Sequence, residues 1–158
     1  MRSVNVSVVA PNRDPADAYA VLVDYAAYPR FSPAVRGVDV WTGPDGAVFS
    51  RWVVEFRSGL LRWTERDLFD PEHHVIEFAQ VEGDVAAFAG SWRCEPVDDG
   101  TRVTFAATVD LGIPSLAEVL DPIAARTLVD NTVAILEGLL GPGLLVEDAV
   151  PHAVGRPA

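Results

Sequence analysis

Six stretches of alternating apolar and polar residues, crowded between positions 35 and 111, constrain this chain more than any other feature. They cover residues 35–41, 48–57, 60–69, 74–81, 85–94 and 102–111. A period of two is the mark of a half-buried strand, and strands this short and closely spaced belong to an antiparallel arrangement. The separators are turn chemistry: Gly43-Pro44-Asp45-Gly46, Ser58-Gly59, Asp70-Pro71-Glu72, Glu82-Gly83-Asp84 and Asp98-Asp99-Gly100. Such turns join strands as hairpins, so the six segments predict an antiparallel meander.

The flanks supply the remaining elements. Residues 3–10 alternate as a first strand, ended by Pro11. Asp14 followed by Pro15 is a helix start, because an Asp side chain can cap the first free N–H groups and proline lacks one. A helix is predicted from about 15 to 25. A short helix or turn follows over 26–33, where Pro29 and Pro33 prevent a long one. After the last strand, Ser115 with Glu118 three residues later fits a capping box. Asp121-Pro122 then starts a long helix over 122–140, 19 residues or roughly 28 Å. Gly141-Pro142-Gly143 stops it. The expected fold class is α+β: a curved seven-stranded antiparallel sheet around one long C-terminal helix, with short helices after the first strand. The domain is expected to span 1–143, with 144–158 a loose tail.

At 158 residues, the length suits one domain. The formal net charge of -11 opposes binding to nucleic acid or an anionic membrane. All 12 basic residues are arginine, which rules out Schiff-base chemistry by a lysine side chain. One cysteine, Cys94, cannot form an internal disulfide. No stretch reads as a signal peptide or a membrane span, so the expectation is a cytoplasmic protein. No Cys/His cluster has zinc spacing, and no glycine-rich phosphate loop or nucleophile elbow is present, so no metal or cofactor is expected. His73-His74 falls on a turn and reads as solvated.

Apolar character chooses the inward face of each strand. It selects Trp52, Val54 and Phe56, then Leu61, Trp63, Glu65, Asp67 and Phe69. Ile76, Phe78 and Gln80 follow, then Phe88, Gly90, Trp92 and Cys94, then Val103, Phe105, Ala107 and Val109. Two carboxylates thus share a face with Trp63. Burying charge without a partner is costly, so the pair demands a polar cavity or a reversed face. In a cavity they make a candidate acid/base pair, about 6.5 to 7 Å apart along the strand, because like charges in an apolar site keep one proton bound. On the long helix, Ala124, Leu128, Asn131, Ala134 and Ile135 fall within one stripe, and Ala134 and Gly138 leave room. Asn131 either orients a substrate carbonyl or satisfies a neighbouring backbone group. Tyr25, Tyr28 and Phe31 either gate the mouth or pack a short helix onto the sheet. Trp63 and Trp92 read as wall or core, and Cys94 as a small core residue.

Several phrases in this order resemble the START/Bet v-type helix-grip superfamily, in particular its polyketide cyclase/dehydrase and aromatase/cyclase branch. They are Tyr25-Ala-Ala-Tyr28-Pro29-Arg-Phe31, Leu61-Arg-Trp63-Thr-Glu65-Arg, Gly90-Ser-Trp92-Arg, Gly100-Thr101-Arg-Val103, and Asn131 in the final helix. The resemblance implies a cavity between sheet and helix, lined by aromatic residues, that holds a poly-β-ketone chain. It also implies an arginine on the strand after the hairpin. Aligned on Trp63, this chain has Asp67 there, a departure from that pattern. Asn131 matches an inward amide of the family.

Together these readings give a cofactor-independent cyclase or dehydratase of polyketide-type metabolism. Glu65 and Asp67 are the candidate catalytic residues. The substrate-binding set is Tyr25, Tyr28, Phe31, Trp52, Phe56, Trp63, Phe78, Gln80, Phe88, Trp92, Phe105, Asn131 and Ile135. A pocket of several hundred Å³ is expected, the usual size for a small-molecule site. Expected partners are a small hydrophobic, polyketide-like substrate, an acyl carrier protein and a second copy of the chain. The alternative is a non-catalytic carrier of a lipid, quinone or polyketide in the same cavity, since fold alone does not fix function.

Overall fold

The computed structural model describes residues 1–56, 59–113 and 117–153. Strand β1, Arg2–Pro11, is followed by helix α1, Pro15–Val23, a single 3₁₀ turn at Tyr25–Ala27, and the short helix α2, Tyr28–Phe31. Six strands follow: β2 Val35–Thr42, β3 Val48–Phe56, β4 Gly59–Asp70, β5 Val75–Gly83, β6 Ala87–Val97 and β7 Gly100–Asp110. Helix α3 covers Ala117–Leu140, and a last strand, β8, covers Leu145–Ala153.

The six expected strands form a meander, every pair antiparallel. The sheet order is β2-β3-β4-β5-β6-β7-β1-β8. β1 closes against β7 in unbroken register, Arg2 opposite Val109 through Pro11 opposite Gly100. Alternation sets the core: Val4, Val6, Val8 and Ala10 of β1 are buried beside Val103, Phe105, Ala107 and Val109 of β7. The Asp14 side chain accepts from the Ala16 N–H at 3.2 Å, so the Asp-Pro start acts as its chemistry requires.

Three expectations change. The described part of the tail is not loose: Leu145–Ala153 pairs antiparallel with β1, giving an eighth strand. Its anchors are Arg102 Nε donating to Glu147 Oε1 at 2.7 Å and Asn5 Nδ2 donating to Asp148 Oδ2 at 2.8 Å. A free sheet edge is a row of unmet hydrogen-bonding groups, and β8 satisfies the one that β1 would leave. The long helix does not begin at Pro122. It starts at Ala117 and carries Pro122 inside. The first helix ends at Val23 rather than Tyr25. The Ser58 position of the β3–β4 turn, the end of the third predicted strand at Arg57, and Ser115 of the capping box lie outside the described residues.

Helix α3 lies across the sheet with Ala125, Val129, Leu136, Leu139 and Leu140 buried. Gly138 makes no room for a ligand. A β-carbon there would lie 2.1 Å from the Phe31 carbonyl oxygen, so the glycine lets α3 approach α2. Ala134 faces solvent. The cavity face of α3 is Ala124, Leu128, Asn131, Thr132 and Ile135, following the i, i+4, i+7 spacing of one helix stripe.

Candidate ligand cavity and its buried acid pair

The cavity between sheet and α3 is walled by nine aromatic side chains, from Tyr25, Tyr28, Trp52, Phe56, Trp63, Phe78, Phe88, Trp92 and Phe105. Its free volume is about 90 Å³, well under the several hundred expected. The rings fill space that smaller residues would leave open. Trp52 and Trp63, opposite each other on β3 and β4, stack with planes 8° apart and centroids 6.0 Å apart. Phe88 meets Trp63 edge to face at 5.4 Å. The aliphatic walls include Val54, Val85, Val109 and Leu111.

Two acids sit at one end of this apolar space. Glu65 is 4% exposed and Asp67 2%. Both stand on the inward face of β4, as the pattern around Trp63 implied. Glu65 lies on the cavity wall; Asp67 lies behind it. Leaving an ionised carboxylate buried and unpaired costs several kcal/mol, and the surroundings show how that is avoided. Trp52 Nε1 donates to Ser50 Oγ at 2.8 Å, and Ser50 Oγ donates to Asp67 Oδ2 at 2.6 Å. Tyr25 Oη donates to Asp67 Oδ1 at 3.3 Å. Trp63 Nε1 donates to Glu65 Oε1 at 2.7 Å. Burial, and then the hydrogen bond and charge of Asp67, push the Glu65 carboxyl well above the usual carboxylate range. The raised value favours the protonated form of Glu65 at pH values where an ordinary carboxyl is already ionised. The same burial, with Asp67 and Glu65 nearby, pushes the Tyr25 phenol up, so it remains a donor.

Local backbone shape helps to aim Glu65. The β4–β5 register shifts between Thr64 and Glu65, where Thr64 faces Glu82 but Glu65 faces Gln80. The shift leaves Val81 unpaired, a bulge of the kind that redirects a side chain. Ser50, directly opposite Glu65 on β3, is fully buried.

Twelve of the residues singled out in the sequence line the cavity: Tyr25, Tyr28, Trp52, Phe56, Trp63, Glu65, Phe78, Phe88, Trp92, Phe105, Asn131 and Ile135. Three do not. Phe31 is 49% exposed and is not part of the cavity wall. Gln80 turns its Nε2 to the Val85 carbonyl at 2.8 Å, and its Oε1 is buried without a partner. Asp67 reaches the cavity only through Glu65. Asn131 follows its second reading: Nδ2 donates to the Glu55 carbonyl at 2.9 Å, tying α3 to β3. Tyr28, 1% exposed, donates to the Leu22 carbonyl at 2.6 Å and holds the short helical segment in place. Ser50 and Thr132 were missed. Ser50 had a signal, because it precedes Trp52 by two residues and so shares its face. Cys94 is buried, and burial pushes its thiol up to about 12, which leaves it unreactive at neutral pH. Among the described residues no cluster of three metal-ligating side chains exists, and no helix is long and apolar enough to cross a membrane.

The sequence profile described as "Polyketide cyclase / dehydrase and lipid transport" matches residues 11–135. The chain belongs to that family. Solved structures agree on the fold. A protein of Thermus thermophilus superposes with a TM-score of 0.78 at 25% identity, covering 87% of this chain and 94% of its own. The Zhui aromatase/cyclase from Streptomyces sp. R1128 gives 0.72 at 22% identity, covering 89% and 91%. A START superfamily protein from Mycobacterium smegmatis gives 0.72 at 20% identity, covering 87% and 96%. No curated protein matches the chain. As a polyketide cyclase/dehydrase family member with the START/Bet v-type helix-grip fold, the protein is built around a ligand cavity. In this member one end of the cavity carries paired carboxyls, with Asp67 where the family resemblance implied an arginine.

Proposed function

We propose that the protein is a cofactor-independent cyclase or dehydratase acting on a hydrophobic, oxygenated, polyketide-type ligand. The observation that carries the reading is Glu65, a carboxyl on the wall of an aromatic cavity, held well above the usual carboxylate range by burial and by its hydrogen bond with Asp67. Cyclisation and dehydration both need a proton moved between oxygen and carbon or water, and a group that can give or take one beside the ligand supplies that step. The walls restrict the ligand's conformations before it reacts, which lowers the entropic part of the barrier. Glu65 is the catalytic residue in this reading. Asp67 is a positioning residue that acts through Glu65, held by Ser50 and Tyr25. The aromatase/cyclase among the structural relatives supports the reaction class.

A carrier role is the second reading. It is favoured by the predominantly hydrocarbon wall and by the internal commitment of Asn131 and Tyr28. Small molecules that co-purify with the protein, identified by mass spectrometry, give the ligand for one decisive experiment. Glu65→Gln is expected to cut turnover of that ligand or its precursor about 100-fold or more, the scale of a lost general acid or base. Asp67→Asn should lower turnover and displace its pH profile, which a purely structural residue would not do. Wild-type protein that binds the ligand without converting it is a carrier, and full turnover in the doubly substituted variant ends the acid/base reading.

A further inference from the structure

The donors around the acid end of the cavity all point the same way. Trp63 Nε1 gives its hydrogen to Glu65 Oε1, and the hydroxyls of Ser50 and Tyr25 give theirs to Asp67. Trp52 Nε1 gives its own to Ser50. An indole nitrogen donates only, so it has nothing left for a ligand. Each hydroxyl has one hydrogen and has placed it on the acid pair. Oε1 of Glu65 accepts from Trp63 and has a second lone pair to offer. What remains facing the ligand at this end is acceptor capacity, on Glu65 Oε1 above all.

Building on the reading of this cavity as a ligand site, we infer that its acid end recognises a hydrogen-bond donor on the ligand, a phenol, enol or alcohol hydroxyl, rather than a carbonyl. A hydroxyl laid against Glu65 Oε1 completes that oxygen's second lone pair and breaks no existing bond. A carbonyl placed there meets another acceptor, and relieving that clash requires Trp63 Nε1 to leave its partner. Losing a hydrogen bond at a buried polar site costs discrimination of about tenfold or more. The site therefore favours the hydroxylated state of a substrate or product.

The free volume of about 90 Å³ is smaller than the cavity of about 150 Å³ that takes up benzene, which limits the probes to a single small ring. Suitable probes are therefore p-cresol, which carries a donor, and p-tolualdehyde, which carries only an acceptor. Titration calorimetry with full-length protein at neutral pH is expected to show p-cresol binding at least about tenfold tighter. The preference should collapse in Glu65→Leu. Glu65→Gln, which keeps the shape and offers an amide donor, should restore aldehyde binding. Aldehyde affinity equal to or above that of cresol in wild type overturns the inference and leaves the cavity reading intact. A cresol preference that survives both Glu65 variants overturns it as well. If neither probe binds, or if both bind equally in Ala124→Trp, the cavity is not the ligand site and both readings fall.

Discussion

Glu65 carries a proton in the folded protein that the unfolded chain releases near its ordinary value of 4.5. The cause is burial first, with Asp67 adding to it. A group whose pKa is raised on folding stabilises the fold fully below its unfolded pKa, and that contribution is lost as pH rises toward the folded value. Stability contributed by Glu65 should therefore fall above about pH 4.5, with a slope of at most about 1.4 kcal/mol per pH unit. Glu65→Gln keeps the side chain neutral and should flatten this slope. Urea unfolding of both proteins between about pH 4.5 and 8 measures it; parallel curves would mean that Glu65 titrates alike in both states. The acids themselves were legible, because Trp63 anchors their face of β4 by simple alternation. Their division of labour was not. Which one touches the cavity depends on Ser50 across the strand and on the bulge beside Glu65, neither of which a single strand's pattern contains.

At the level of elements, the meander follows directly from alternation and turn residues, since both are local in the chain. The helix start at Ala117 and the pairing of Leu145–Ala153 with β1 are not local. β8 is stabilised by a partner strand at the opposite end of the sequence, and its own composition reads as a tail. Gly138 is a similar case. In sequence it looks like spare room, whereas in the fold it is where α3 crosses the Phe31 carbonyl. Gly138→Ala would place a methyl 2.1 Å from that oxygen and must push the helix away. The expected cost is about 1–3 kcal/mol, the scale of overpacking, read as a lower midpoint in thermal or denaturant unfolding. An unchanged midpoint would show that α3 and α2 are not held at this distance. Restoring room by shortening neighbouring side chains should not help, because the clash is with backbone.

For the whole molecule, the order β2-β3-β4-β5-β6-β7-β1-β8 curves the sheet around one cavity, whose lining runs from Tyr25 to Ile135. Ala124 is 2% exposed and faces that space from α3, whereas Ala134 faces solvent. Ala124→Trp adds an indole larger than the free volume of about 90 Å³ and should abolish ligand binding. The helical and sheet content should survive, at a stability cost of about 1–3 kcal/mol. Calorimetry with p-cresol and far-ultraviolet circular dichroism measure the two effects separately. Retained binding in a folded Ala124→Trp protein would move the ligand site elsewhere. The surplus of acid over base, -11 in formal charge, is matched at the cavity, where no described lining residue is cationic and the acid end offers carboxyls and hydroxyls.

The sequence by itself determined the antiparallel meander, the Asp14 cap, the inward faces of β3 to β7 and the presence of two acids among aromatic residues. Each of these follows from periods of two, turn chemistry or neighbouring residues, which are properties of adjacent positions. Only the tertiary structure decided that the C-terminal stretch is an edge strand, that α3 turns Ala124 and not Ala134 to the cavity, and that the aromatic rings leave so little free space. It alone placed Asp67 behind Glu65. Those outcomes depend on how distant side chains share volume and hydrogen bonds, and no periodicity along one segment encodes the partners it will meet.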